Sequence, residues 1–147
     1  MMNSFTAADI RSLILKFENL QLPKSEWTHE THLIMALWYC QKYPLAEATR
    51  KIGRSIRRYN EAIGIKNTEQ SGFHQSLTTF WMSVVSHFAS QYPTLPLSEL
   101  CHLLLNAKEG SRSYVFEFYS KDLIDSTHAR MNWLAPDLKS LPGQERE

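Results

Sequence analysis

A chain of 147 residues fits one domain, and at that length roughly 70% of the unfolded surface is buried on folding, so stability needs no disulfide or metal. Sixteen basic against fifteen acidic residues leave a formal charge of +1, which excludes a global field for nucleic acid or an anionic membrane. Five glycines, spaced singly, argue against a turn-rich all-β fold. Cys40 and Cys101, the two cysteines, each fall in an apolar helical stretch and read as buried free thiols of a reducing compartment.

Asp9, Arg11, Lys16 and Glu18 interrupt the first apolar stretch, which therefore lacks the continuous apolar region of a secretory signal. No apolar run approaches the roughly 20 residues that span a bilayer. The expected location is the cytoplasm.

Thr6 is placed to cap a first helix with Ile10, Leu13, Ile14 and Phe17 at helical spacing, ended by Leu22-Pro23. Thr28 is the cap of a second helix over about 29–43, with Trp27 as an apolar staple. That helix is apolar nearly all round, which predicts a central position. Pro44 opens a third helix to about Ala62, with the stripe Leu45, Ala48, Ile52, Ile56 and Tyr59. Residues 60–73, with Gly64, Asn67 and Gly72, read as an ordered loop. A fourth helix is expected over about 74–91, with Leu77, Trp81, Val85 and Phe88 on one face. Ser98 is read as the cap of a fifth, and a last helix covers about 121–128, extending at most to Asn132. The tail from 142 is expected to fray. These elements predict an all-α, single-domain bundle of five to six helices over 1–147.

His29 and His32 lie three apart in the first turn of the second helix, on the face that Leu33, Ala36 and Cys40 continue. His74 stands at the start of the fourth helix, one turn before Leu77 and Thr78. Both helix starts carry partial positive charge, and burial adds to it, so neutral imidazoles are expected. Neutral imidazoles suit a divalent metal such as zinc or iron, and equally a metal-free hydrogen-bonded pocket. HETH is one residue short of the zinc-protease HExxH. Glu99-x-x-His102 matches half of a diiron motif without a second copy.

Arg50, Arg54, Arg57 and Arg58 lie opposite the apolar stripe of the third helix and read as a solvated face, with Arg57 at the loop entrance a ligand-binding candidate. Arg130, in an apolar aromatic segment, is expected to pair with a carboxylate, either Asp137 or one on a ligand. Tyr119, Ser120 and Ser126 have hydroxyls for a pocket or for caps. Trp27, Trp38, Trp81 and Trp133 read as core packing. No Gly-rich phosphate loop or GxSxG elbow occurs.

Four stretches, WTHETHLIMALWY (27–39), RSIRRYNEAIG (54–64), GFHQSLT (72–78) and FYSKDLIDSTHARMNWLAPDL (118–138), resemble the motifs of a family of small uncharacterised all-helical bacterial proteins. The resemblance implies that His29, His32, His74, Arg130 and Asp137 are site residues ahead of His87, His102 and His128; it implies no activity. The family form has glutamate where this chain has Gln75, which weakens a metal-ligand or base role there.

Two functional readings and one structural reading follow. An enzyme would hold a divalent metal on His29, His32 and His74 and act on a small anionic molecule gripped by Arg57 or Arg130. A binding or interaction module, which includes a homodimer, would use the same pocket without metal or chemistry; neither nucleic acid nor membrane is an expected partner. In the structural reading the three histidines serve only buried backbone groups.

Overall fold

The computed structural model describes residues 5–143, and among them it is helical without a strand. Five longer helices, α1 (Ala7–Glu18), α2 (His29–Lys42), α3 (Leu45–Ala62), α4 (Gln75–Ser90) and α5 (Leu97–Asn106), precede two short ones, α6 (Lys121–Ile124) and α7 (Thr127–Met131). Three 3-10 turns, Lys24–Glu26, Lys108–Gly110 and Arg112–Glu117, join them. Seven α-helices are one more than the upper expectation, because the predicted last helix is broken. Ser126 ends its first half by donating to Leu123 O (2.7 Å) and caps the second by accepting from Ala129 N (3.1 Å). Of the tail expected to fray, residues 144–147 lie outside the described residues.

The caps explain where the first two helices begin. Thr6 and Asp9 form a capping box on α1, and Thr28 and Thr31 form one on α2. Trp27 and His32 complete the staple across the start of α2, their rings 3.8 Å apart. Ser98 is not a cap: α5 starts one residue earlier, after Pro96, whose fixed backbone replaces a side-chain cap. All four predicted core residues of α1 are buried, whereas Leu45, at the open end of the α3 stripe, is 39% exposed.

α2 is central, packed against α4, α3, α5 and α1. Its fully buried Leu33, Ile34, Met35 and Leu37 meet Phe17, Ile52, Tyr59, Met82 and Leu100 in the main core. Each such side chain contributes roughly 1.5–3 kcal/mol relative to exposure. Two tyrosines brace it: Tyr59 donates to Leu22 O (2.8 Å), and Tyr39 to Glu18 Oε2 (2.6 Å). Burial raises both phenols, Tyr39 further through its bond to Glu18.

α4 is shared between two cores, since Met82, Val85 and Phe88 join the main one while Phe80 and Val84 join Tyr114, Val115, Phe118, Tyr119 and Ile124 in a second. A helix covered on two sides needs no single stripe. That is why Phe80 and Met82, outside the predicted face, are more deeply buried than Leu77 and Trp81 within it. The C-terminal segment is tied to α4 by Ser76, which donates to Asn132 O (2.6 Å) and accepts from Leu134 N (3.0 Å). Trp133, read as core from its context, is 41% exposed on that segment.

Cys40 and Cys101 are free thiols, and burial pushes each up to about 12, so neither is a ready nucleophile. No helix among the described residues is long and apolar enough to cross a membrane.

Candidate functional site

A cavity of about 850 Å³ opens between α2, α3, α4 and the C-terminal segment. Its walls are mostly apolar, with Trp27, Phe73, Trp81 and Phe116 among them, and the polar lining includes His29, His32, His74, Arg112 and Arg130. The structure therefore brings the three predicted histidines to one cavity, but it spends their nitrogens differently.

His74 is the N-cap of α4. Its Nδ1 accepts from Leu77 N (3.1 Å), while its Nε2–H donates to Ile124 O (2.8 Å), fixing a neutral tautomer with both nitrogens engaged. Burial lowers its pKa below 6.5, and the nearby Arg130 adds to that. His29 donates from Nε2 to Gly110 O (3.0 Å), and His32 from Nδ1 to Thr28 O (2.5 Å). A carbonyl only accepts, so the neutral rings leave lone pairs on His29 Nδ1 and His32 Nε2. Burial lowers both pKa values, with Arg112 disfavouring a proton on either ring. No buried side-chain nitrogen or oxygen lacks a partner among the described residues, so these two unbonded nitrogens reach solvent.

Two glycines make this arrangement possible. A Cβ on Gly110 would lie 2.0 Å from Leu104 O, so only glycine lets this turn lie against α5 and present its carbonyl to His29. Gly72 has φ +79° and a Cβ position 2.5 Å from Lys66 O; its carbonyl takes Arg130 Nη1 (2.8 Å). The loop before it is held by Asn67, whose Oδ1 accepts from Asn60 Nδ2 (3.0 Å) and Phe73 N (2.9 Å).

Arg130 lines the cavity; of the two carboxylate partners expected, Asp137 or one on a ligand, it does not meet Asp137, and its partners within the fold are the carbonyls of Gly72 and, more distantly, Phe73. Asp137 instead accepts from Ser120 N (2.8 Å), and its bonds to Ser120 hold its carboxyl below the usual range. Tyr119 donates to Leu134 O (2.6 Å). Both pin the C-terminal segment from outside the cavity lining. Arg57 also lies off the lining, its guanidinium 4.0 Å above the Phe73 ring. None of these three side chains lines the cavity, and each has a partner within the fold.

Arg112 is the residue sequence reasoning missed. It lies in the 3-10 turn after Gly110, where no helical or strand period marks a face. It is exposed, lines the cavity, and makes no hydrogen bond or ion pair among the described residues. The one signal was an arginine set between serines just ahead of an aromatic run, SRSYVFEFY.

A divalent metal on the three imidazoles needs a lone pair from each. His74 has none to give without losing the cap of α4. No group of three or more His, Cys, Asp or Glu side chains among the described residues is arranged to hold a metal ion. The donor set does not fit the three-histidine centre expected from the sequence.

Set against known proteins, the chain matches no family model, no curated protein and no solved structure.

Proposed function

We propose that the protein is a binding module that takes up a small anion with an apolar body in the cavity beside α2 and α4, without a metal. The observation that carries this reading is Arg112, a cation with no hydrogen bond or ion pair among the described residues, on the lining of a mostly apolar cavity of about 850 Å³. Its volume falls in the range of about 300–1,000 Å³ common to small-molecule sites. The engaged nitrogens of His74 favour this reading over the metal-dependent enzyme.

Thermal denaturation with 3-phenylpropionate, octanoate and zinc tests it. A ligand at a hundred times its Kd adds about 2.7 kcal/mol to the folded state, or several degrees in Tm for a chain of this size. One or both carboxylates are expected to raise Tm, and Arg112→Gln to remove the rise, while zinc with or without chelator leaves Tm unchanged. If neither carboxylate moves Tm at about 10 mM, where even a Kd near 0.1 mM gives that gain, the reading fails.

A further inference from the structure

The two histidine lone pairs set a condition on the ligand beyond charge. An anion placed against Arg112 comes close to His29, whose ring is bonded to Gly110 O two residues before Arg112, and His32 follows three residues along α2 on the same lining. Their free nitrogens are acceptors because Gly110 O and Thr28 O take the single ring proton of each neutral imidazole. A bare carboxylate would set its own lone pairs against theirs. A carboxylate with a hydroxyl beside it satisfies both kinds of group, the oxygens on the guanidinium and the O–H donated to an imidazole.

Charge selects among anions. Of the charged groups on the lining, Arg130 is held by the carbonyls of Gly72 and Phe73 and Asp125 is paired with Lys121, which leaves Arg112 as the lining cation without a partner among the described residues. A single such cation suits a monocarboxylate over a phosphate, which carries a charge of about −1.5 to −2 near neutral pH. An ammonium beside the carboxylate, as in a free amino acid, would meet Arg112 with like charge. The apolar walls, with Trp27, Phe73, Trp81 and Phe116, fit an aromatic or branched aliphatic body.

From this juxtaposition of an arginine unpaired among the described residues, two imidazole acceptors with fixed tautomers and an aromatic wall, we infer that the site selects hydroxy monocarboxylates with an apolar body, the hydroxyl next to the carboxylate. The inference rests on the binding reading above and narrows it to one ligand class.

Matched probes separate the two. Affinities of 3-phenyllactate and 3-phenylpropionate, which differ by one hydroxyl, are measured by calorimetric titration at pH 7.5 on the wild-type chain and on Arg112→Gln, His29→Gln and His32→Phe; phenylalanine is the ammonium control. The hydroxy acid is expected to bind at least about tenfold more tightly than its deoxy partner, since a site with committed acceptors discriminates against a ligand lacking the donor. Phenylalanine is expected to bind more weakly than either. His32→Phe keeps a ring against Trp27, so the fold is retained while the preference shrinks; His29→Gln shrinks it similarly. Arg112→Gln weakens both acids by a similar factor and leaves their ratio. Equal binding of the two acids to the wild type overturns the hydroxy-acid inference and leaves the binding reading standing. A hydroxyl preference that survives both histidine substitutions also overturns it. Failure of both acids to bind overturns the binding reading itself.

Discussion

His74 on one wall of the cavity and the pair His29 and His32 on the other are the same residue type, each ring in or just before the first turn of a helix, yet they do different work. His74 caps α4 with one nitrogen and holds Ile124 with the other, joining α4 to the short C-terminal helices. His29 and His32 each commit one nitrogen to a backbone carbonyl and keep the other free. The α4 wall is closed by its hydrogen bonds, and the α2 wall is left able to accept. The residue type announces a polar group, but the second nitrogen decides whether that group is structure or site.

The largest effect expected is at Gly110, the support of the α2 wall. Gly110→Ala puts a methyl 2.0 Å from Leu104 O, where backbone has to move. A loss of about 3 kcal/mol in urea denaturation is expected, at the upper end of overpacking costs, and the carbonyl that orients His29 moves with it. A loss below about 1 kcal/mol, the low end of that range, would mean that the turn adapts freely and does not fix the His29 ring.

His74→Ala comes next, at about 2–3 kcal/mol, from a missing helix cap and an Ile124 carbonyl left without its donor. His74→Asn, a good cap residue that is too short to reach Ile124, should recover about 1 kcal/mol of that. His32→Ala should cost less, because Thr28 O lies nearer solvent than the buried bond of His74. If His32→Ala proves the more destabilising of the two, the contrast between the walls is wrong.

Acid should act on the same contrast. All three histidines have pKa values lowered from 6.5, by burial first. Below pH 6.5 the unfolded chain therefore binds more protons than the folded one. The stability these rings contribute is full above pH 6.5 and is lost as pH falls from there toward the folded values. The slope of unfolding free energy against pH between 6.5 and 5 should be shallower in His74→Asn than in the wild type, since a proton on Nδ1 abolishes the cap. An identical slope would remove His74 from the account of acid sensitivity.

Much of the frame was legible in the sequence because it is local. Thr6, Thr28 and Pro44 mark helix starts through their own backbone chemistry, and the spacing of Ile10, Leu13, Ile14 and Phe17 marks a face, although α1 ends at Glu18, before the Leu22-Pro23 expected to stop it. The three histidines were legible as a group for the same reason, each standing next to a helix start. Their nitrogen partners were not, because Gly110 lies 81 residues from His29 and Ile124 lies 50 from His74. Arg130 shows the same limit: its aromatic setting suggested a carboxylate partner, and the fold gave it the carbonyls of Gly72 and Phe73. Stripe reading failed at α4, where a second core on the opposite side buries Phe80 as deeply as the first buries Val85. Irregular backbone defeated it altogether over the turns that hold Gly110 and Arg112.

Arg112 gives the smallest effect on stability and the sharpest separation of structure from site. With its side chain exposed and unbonded among the described residues, Arg112→Gln should alter unfolding free energy by no more than about 0.5 kcal/mol, the usual range for surface positions. Its removal also takes a positive charge away from His29 and His32. Both rings should then titrate at higher pH in the variant, which histidine proton shifts in NMR would show, while His74, whose cationic neighbour is Arg130, stays as it was. Upward movement of His29 and His32 alone would place Arg112 on the α2 wall in solution. Movement of all three would make the cavity one electrostatic unit, and movement of none would take Arg112 out of the site and the anion reading with it.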